Sequence, residues 1–187
     1  MVRLRIFVIA LMVLVARSAE AQPGAARIGL LSGSIGAASG DDTANAGLTL
    51  AGAMAVMENS GWGAELDLGF SRGFAGDLFD DSEIFTLMVN AVGMRPVGAV
   101  RPYGTGGVGL LRVHAEPESG ADDLSRNDWG FNVGGGAIFI LNEAFGIRGD
   151  LRYFRYFQRH EDIAQADTGS FGFWRTSVGI TWSWPIR

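Results

Sequence analysis

Residues 61–71, Gly-Trp-Gly-Ala-Glu-Leu-Asp-Leu-Gly-Phe-Ser, divide at a period of two into unlike faces. Trp62, Ala64, Leu66, Leu68 and Phe70 share one side; Gly63, Glu65, Asp67, Gly69 and Ser71 share the other. Successive side chains of a strand point to opposite faces, so the segment predicts a strand that separates two different media. In a soluble sandwich the carboxylates would meet water and the apolar row a core. In a membrane barrel the apolar row would meet lipid and the carboxylates the lumen.

The rest of the chain favours the membrane. Eight stretches read as strands, roughly 27–38, 46–57, 61–71, 83–94, 101–114, 129–141, 146–157 and 170–184. Each is long enough to cross a bilayer at a tilt. Short connections (58–60, 95–100, 142–145) alternate with long polar ones (39–45, 72–82, 115–128, 158–169). Short turns at one end and long loops at the other is the plan of an outer-membrane barrel with its loops outside the cell. Trp129, Phe131, Val133, Ala137, Phe139 and Leu141 share a face against Asn132, Gly134 and Gly136. Trp174, Val178, Ile180, Trp182 and Trp184 oppose Arg175, Ser177, Thr181 and Ser183, and Arg148, Asp150 and Arg152 oppose Ile147, Leu151 and Tyr153. Arg155 breaks its row and is placed at the outer rim, while the glycines, serines and alanines of the first strand assign no face.

The first 21 residues read as an export signal: two arginines in Met1–Arg5, an apolar run Ile6–Val15, and Ala19-Glu20-Ala21 at a small-x-small cleavage site. That run is too short for a transmembrane helix and no later segment has one, so spanning structure must come from strands. Residues 22–187 are then one barrel domain with a formal net charge of −7, against −5 for the whole chain. Such a balance argues against nucleic acid, whose phosphates demand a basic footprint. The absence of cysteine excludes a lipoprotein anchor, a disulfide framework and a cysteine-based metal site. The 28 glycines suit strands that curve and twist at close quarters.

Aromatic residues fall at strand ends, with Trp62, Tyr103, Phe145, Trp182 and Trp184 at the short-turn side. Phe70, Phe85, Trp129, Tyr156, Phe157, Phe171 and Trp174 fall at the long-loop side. Two girdles are expected where amphipathic rings meet headgroups. The segments Arg101-Pro-Tyr-Gly-Thr-Gly-Gly-Val-Gly-Leu-Leu, Asp128-Trp-Gly-Phe-Asn-Val-Gly-Gly-Gly, Gly146-Ile-Arg-Gly-Asp-Leu-Arg-Tyr-Phe and Trp174-Arg-Thr-Ser-Val-Gly-Ile-Thr-Trp carry a resemblance. The chain resembles the small outer-membrane β-barrel family, the eight-stranded OmpA/OmpX-type and opacity-protein-like domains. The resemblance implies an all-β, eight-stranded antiparallel up-and-down transmembrane barrel over the whole mature chain. It specifies architecture and says little about activity. Members usually end on an aromatic residue that the barrel-assembly machinery reads. Here Trp184 is followed by Pro185-Ile186-Arg187, so the signal is read internally or assembly is less efficient.

Few residues suggest chemistry. Gly104-Thr-Gly-Gly-Val-Gly109 satisfies a dinucleotide fingerprint, but no helix follows to receive a pyrophosphate, so the glycines are expected to relieve crowding in a small barrel. Glu65, Asp67, Arg148, Asp150, Arg152 and Arg175 all fall on lumen-facing positions, where isolated charges are expensive unless paired. They are expected to form an ion-pair network filling the interior, with a gated narrow conduit as the alternative. His114 and His160 sit at the loop end, and neither belongs to the His-x-Ser pattern of barrel deacylases, so a lipid A-modifying enzyme is the lesser alternative. Fourteen of the twenty carboxylates lie in or beside the long connections, including Asp41, Asp42, Asp80, Asp81, Asp122 and Asp123. Only Arg72, Arg126 and Arg159 oppose them there, so the loops read as solvated acidic surfaces able to bridge to lipopolysaccharide through divalent cations or to dock a basic partner. The expectation is a non-catalytic outer-membrane barrel without cofactor, in contact with membrane lipid and lipopolysaccharide.

Overall fold

The structure, a computed structural model, describes residues 27–40, 46–72, 81–116, 124–157 and 172–186. Eight strands follow one another: β1 (Arg27–Gly40), β2 (Ala46–Glu58), β3 (Trp62–Arg72), β4 (Asp81–Met94), β5 (Val100–Glu116), β6 (Leu124–Ile140), β7 (Phe145–Tyr156) and β8 (Gly172–Ile186). Each pairs antiparallel with the next, and β8 returns to β1, closing the barrel. Closure gives every strand two hydrogen-bonding neighbours, which a sheet in lipid requires.

The registers fix the shape. A row of paired positions leaves Gly29 and passes Val56, Ala64, Ala91, Gly106, Val133, Tyr153 and Trp174. It returns to β1 at Ser39, ten residues nearer the loops than it began. Eight strands sheared by ten residues tilt about 40° from the barrel axis. From Trp62 to Arg72 the wall is then roughly 25 Å tall, the height of a lipid-facing band.

Two short turns are built by their own residues. Gly61 adopts φ +85°, and its N–H donates to Glu58 O at 3.0 Å, reversing the chain between β2 and β3. Between β6 and β7, Asn142 Oδ1 accepts from the N–H groups of Ala144 and Phe145, each at 2.9 Å.

Sidedness follows the period of two. Leu31, Ile35, Leu50, Met54, Leu68, Val108, Val133, Ile147, Leu151, Val178 and Ile180 are exposed on the outer wall, whereas Glu65 and Asp67 are 3% and 2% exposed. The first strand, ambiguous in sequence, sends Leu31 and Ile35 outward and Leu30, Ser32 and Ala38 inward. Arg155 is exposed at the loop end of β7.

Two aromatic assignments need correction. Tyr103, expected in the turn-side girdle, is 7% exposed and points into the lumen. Its parity is that of Thr105, not of the outward Pro102 and Gly104. Tyr156, expected in the loop-side girdle, packs inward against Ile84, Met88, Leu111, Phe154 and Phe173. Trp184 holds its place by lying across Gly29, where any Cβ would collide with the indole. The β5–β6 hairpin pairs as far as Ala115 and Leu124, so both strands outrun their expected ends at 114 and 129. β8 continues through Pro185 to Ile186, paired with Ile28 and Arg27. The expected export signal, Phe171 and most of the long connections lie outside the described residues.

Leu68 lies near the middle of the outer wall. Arginine there is expected to cost about 2–4 kcal/mol of stability in lipid vesicles, and arginine at the rim position Trp62 about 0–1 kcal/mol. Denaturant titration of the lipid-embedded barrel checks both.

Candidate functional site

The lumen is stacked in three layers. At the loop end Ala38, Ile84, Met88, Leu111, Phe154 and Phe173 form one apolar cluster. At the turn end Leu30, Ala55, Met57, Val92, Tyr103 and Ile138 form another. Between them lie three carboxylates and three guanidinium groups, all at most 8% exposed.

Registers explain why these six charges meet. Glu65 and Asp67 are consecutive inward positions of β3; Arg148, Asp150 and Arg152 are consecutive inward positions of β7; Arg175 enters from β8. Arg148 Nη2 donates to Glu65 Oε2 at 2.8 Å and to Asp150 Oδ2 at 3.2 Å. Arg152 reaches Glu65 Oε1 through Nη2 at 2.8 Å, and its Nε donates to Asp150 Oδ1 at 2.7 Å. Arg152 Nη1 lies 3.5 Å from Asp67 Oδ2. Arg175 Nη2 spans both oxygens of Asp67 at 2.7 and 2.8 Å. Three negative charges balance three positive ones, and every carboxylate faces a guanidinium.

Neutral groups join the set. The Tyr103 hydroxyl donates to Asp150 Oδ2 and accepts from Arg148 Nε at 2.7 Å. Asn90 Nδ2 donates to Glu65 Oε1 at 3.1 Å. Arg148 stacks over the Tyr103 ring at 4.6 Å and Arg175 over Phe154 at 4.8 Å. Phe154 in turn stacks on Phe173, with centroids 4.7 Å apart and planes 4° from parallel. Gly69 makes room for this: a Cβ there would strike Arg175 Nη1 and come within 2.6 Å of Thr86 Oγ1.

Sequence reasoning named the six charges but not Tyr103, Asn90, Phe154 or Phe173. Their inward parity was readable; the rule that apolar side chains face lipid concealed the aromatic ones. Asp81 opens β4 in register with Glu116, and His114 pairs in register with Glu83 and Ser125. Asp41, Asp42, Asp80, Asp122, Asp123 and His160 lie outside the described residues. Gly104–Gly109 continues β5 without a helix.

Among the described residues the charged layer holds little space. Within the charged layer the gap among Ser32, Asp67, Arg148, Arg152 and Arg175 is about 10 Å³, room for about one water. A recess of about 140 Å³ opens at the turn end, and its floor is Leu30 and Met57 of the lower apolar cluster.

A closed barrel with an apolar wall, aromatic rims and an ion-paired interior is a small membrane-spanning barrel of the outer-membrane kind. The chain belongs to the outer membrane protein beta-barrel domain family, which it matches over residues 6–181. No curated protein matches it in sequence. Its fold is similar to that of Neisserial surface protein A (TM-score 0.63, 15% identity, covering 84% of this chain and 97% of that one). It is also similar to a major outer membrane protein of Thermus thermophilus (0.59, 16%, 85% and 99%). A third likeness is to Ail, the attachment invasion locus protein of Yersinia pestis, in complex with the heparin analogue sucrose octasulfate (0.56, 14%, 86% and 99%). At these identities the likeness concerns the fold.

Removing one partner of a buried pair leaves the other charge stranded. Arg175→Met is expected to destabilise the barrel by about 3–5 kcal/mol, and Asp67→Leu added to it to recover most of the loss. A double-mutant cycle by denaturant unfolding measures both.

Proposed function

We propose that the protein is a non-catalytic barrel anchoring four acidic loops at the outer face of the outer membrane, where it serves envelope integrity or surface interactions. The observation carrying this reading is the sealed lumen. Apolar clusters cover the ion-paired layer from both ends, and a hydrated ion would have to shed its shell to pass them. A conduit needs a continuous water-filled path, and among the described residues the charged layer leaves room for about one water. The buried carboxylates are at most 8% exposed and committed to guanidinium groups, which speaks against catalysis by them.

In this reading residues 1–21 direct export and are removed, and the barrel-assembly machinery inserts the remainder. The six lumen charges are structural, locking strands to one another across the interior. Interaction is left to the loops. Ail was solved with a sulfated polyanion; loops carrying Asp41, Asp42, Asp80, Asp81, Asp122 and Asp123 would repel such a ligand. They suit divalent cations shared with lipopolysaccharide phosphates, or a basic partner.

Reconstituted in planar bilayers, the protein is expected to be electrically silent, and discrete conductance steps from the wild type would overturn the sealed-lumen reading. Deletion of residues 117–123 is expected to leave a heat-modifiable barrel in the outer-membrane fraction while raising permeability to a hydrophobic dye when magnesium is limiting. If removal of each long loop in turn leaves permeability and surface binding unchanged, the proposed role of the loops falls.

A further inference from the structure

The charged layer draws on only part of the wall. Its six ions come from β3, β7 and β8, and β4 and β5 reach it through Asn90 and Tyr103. Beside these contacts stand two more buried polar side chains, Thr105 of β5 at 6% and Asn132 of β6 at 2% exposed. Among the described residues neither has a hydrogen-bonding partner. Thr105 Oγ1 and both amide atoms of Asn132 are unpaired, and so is Asn90 Oδ1. A buried amide or hydroxyl left unpaired costs more than an ordinary hydrogen bond returns. Protein interiors satisfy such groups, with ordered water where protein atoms do not reach.

The unpaired groups surround one residue. Asn90 and Asn132 are both in register with Gly107, on its β4 and β6 sides, and Thr105 is the inward position before it on β5. Gly107 sends no side chain into the middle of this trio. A Cβ there would strike Asn90 Oδ1, so that oxygen leans over Gly107 toward the β6 side. The amide is held this way round because its nitrogen donates to Glu65 Oε1. The Cα atoms of Asn90 and Asn132 stand two strand spacings apart, about 10 Å. Two short amides span that gap with one small molecule between them.

We propose that the space over Gly107 is a binding site for an ordered internal water. The water joins β4, β5 and β6 to one another and, through Asn90 and Glu65, to the ion-paired layer. The mixture of groups selects water over an ion. Asn132 Nδ2 and the Thr105 hydroxyl donate, whereas Asn90 Oδ1, Asn132 Oδ1 and the hydroxyl oxygen accept. An anion there would meet two amide oxygens, and a cation would meet an amide NH2 group. Either would also upset the balance of three negative charges against three positive ones. Water both donates and accepts, so one molecule answers all three residues. The site is separate from the gap among Ser32, Asp67 and the arginines, which lies against β1, β2 and β8. It depends neither on the orientation of the barrel nor on the role of the loops.

Crystals of the folded barrel, grown with rubidium bromide as the salt and diffracting well enough to place waters, test the site. The expected result is a solvent peak without anomalous signal, within hydrogen-bonding distance of the Asn132 amide and Asn90 Oδ1. Anomalous signal from rubidium or bromide at that position would overturn the choice of water. An Asn132 amide bonded to a protein group, or buried with no neighbour, would overturn the site. Urea unfolding in lipid vesicles gives a second reading. Asn132→Leu keeps the branching of the side chain and removes its two polar atoms. Were those atoms simply unsatisfied, their removal would raise the urea midpoint, and that result overturns the proposal. If they hold a shared water, the midpoint falls. Thr105→Val, damaging in the wild type, then costs measurably less in the Asn132→Leu background, and additive shifts would contradict the shared water. Gel mobility with and without boiling confirms that each variant is folded; where Asn132→Leu is not, the wild-type crystal decides alone.

Discussion

Three carboxylates and three guanidinium groups withdrawn from water must satisfy one another, and the rest of the barrel is arranged around that requirement. Each ion alone would cost several kcal/mol to bury. Paired, they link strands that no backbone ladder joins. β3 has hydrogen-bonded neighbours only in β2 and β4, yet Glu65 and Asp67 are gripped by Arg148 and Arg152 of β7 and Arg175 of β8. The set is a brace across the cylinder, where the ladders run only around it. It also specifies register. A one-residue slip of β7 would turn Arg148, Asp150 and Arg152 to lipid and leave β3's carboxylates facing bare backbone.

The apolar clusters above and below make the brace effective. They keep bulk water from the charged layer, so each pair acts at low dielectric. Phe154 belongs to both regions: one face carries the Arg175 guanidinium and the other stacks on Phe173. A wall built this way is rigid and closed.

Much of this was legible before any coordinates. The alternation in 61–71 is clean because one face meets hydrocarbon, where a charge is barely tolerated, and the connections between alternating segments marked out eight strands. Charge at inward parity then predicted which six residues meet. Less legible were the places where inside and outside share a chemistry. Tyr103 and Tyr156 were assigned to girdles because aromatic residues near strand ends usually serve headgroups, but both face inward at the barrel's ends. Inward Ile84, Met88 and Leu111 hid for the same reason, since β4 and β5 carry apolar side chains on both faces there. The first strand, nearly all glycine, serine and alanine, needed its register with β2 and β8 before its faces could be told apart.

The central claim is sidedness, and single-cysteine spin labelling tests it directly because the chain has no cysteine of its own. Cysteine replaces each residue of 62–71 other than the glycines in turn, and the labelled barrels are examined in lipid vesicles. The account predicts that even positions collide readily with dissolved oxygen and scarcely with a water-soluble nickel chelate. Thiols at 65, 67 and 71 should resist an aqueous label in the folded barrel and take it up only after denaturation. Accessibility without a period of two, or even positions that meet the chelate while odd ones meet oxygen, would contradict it.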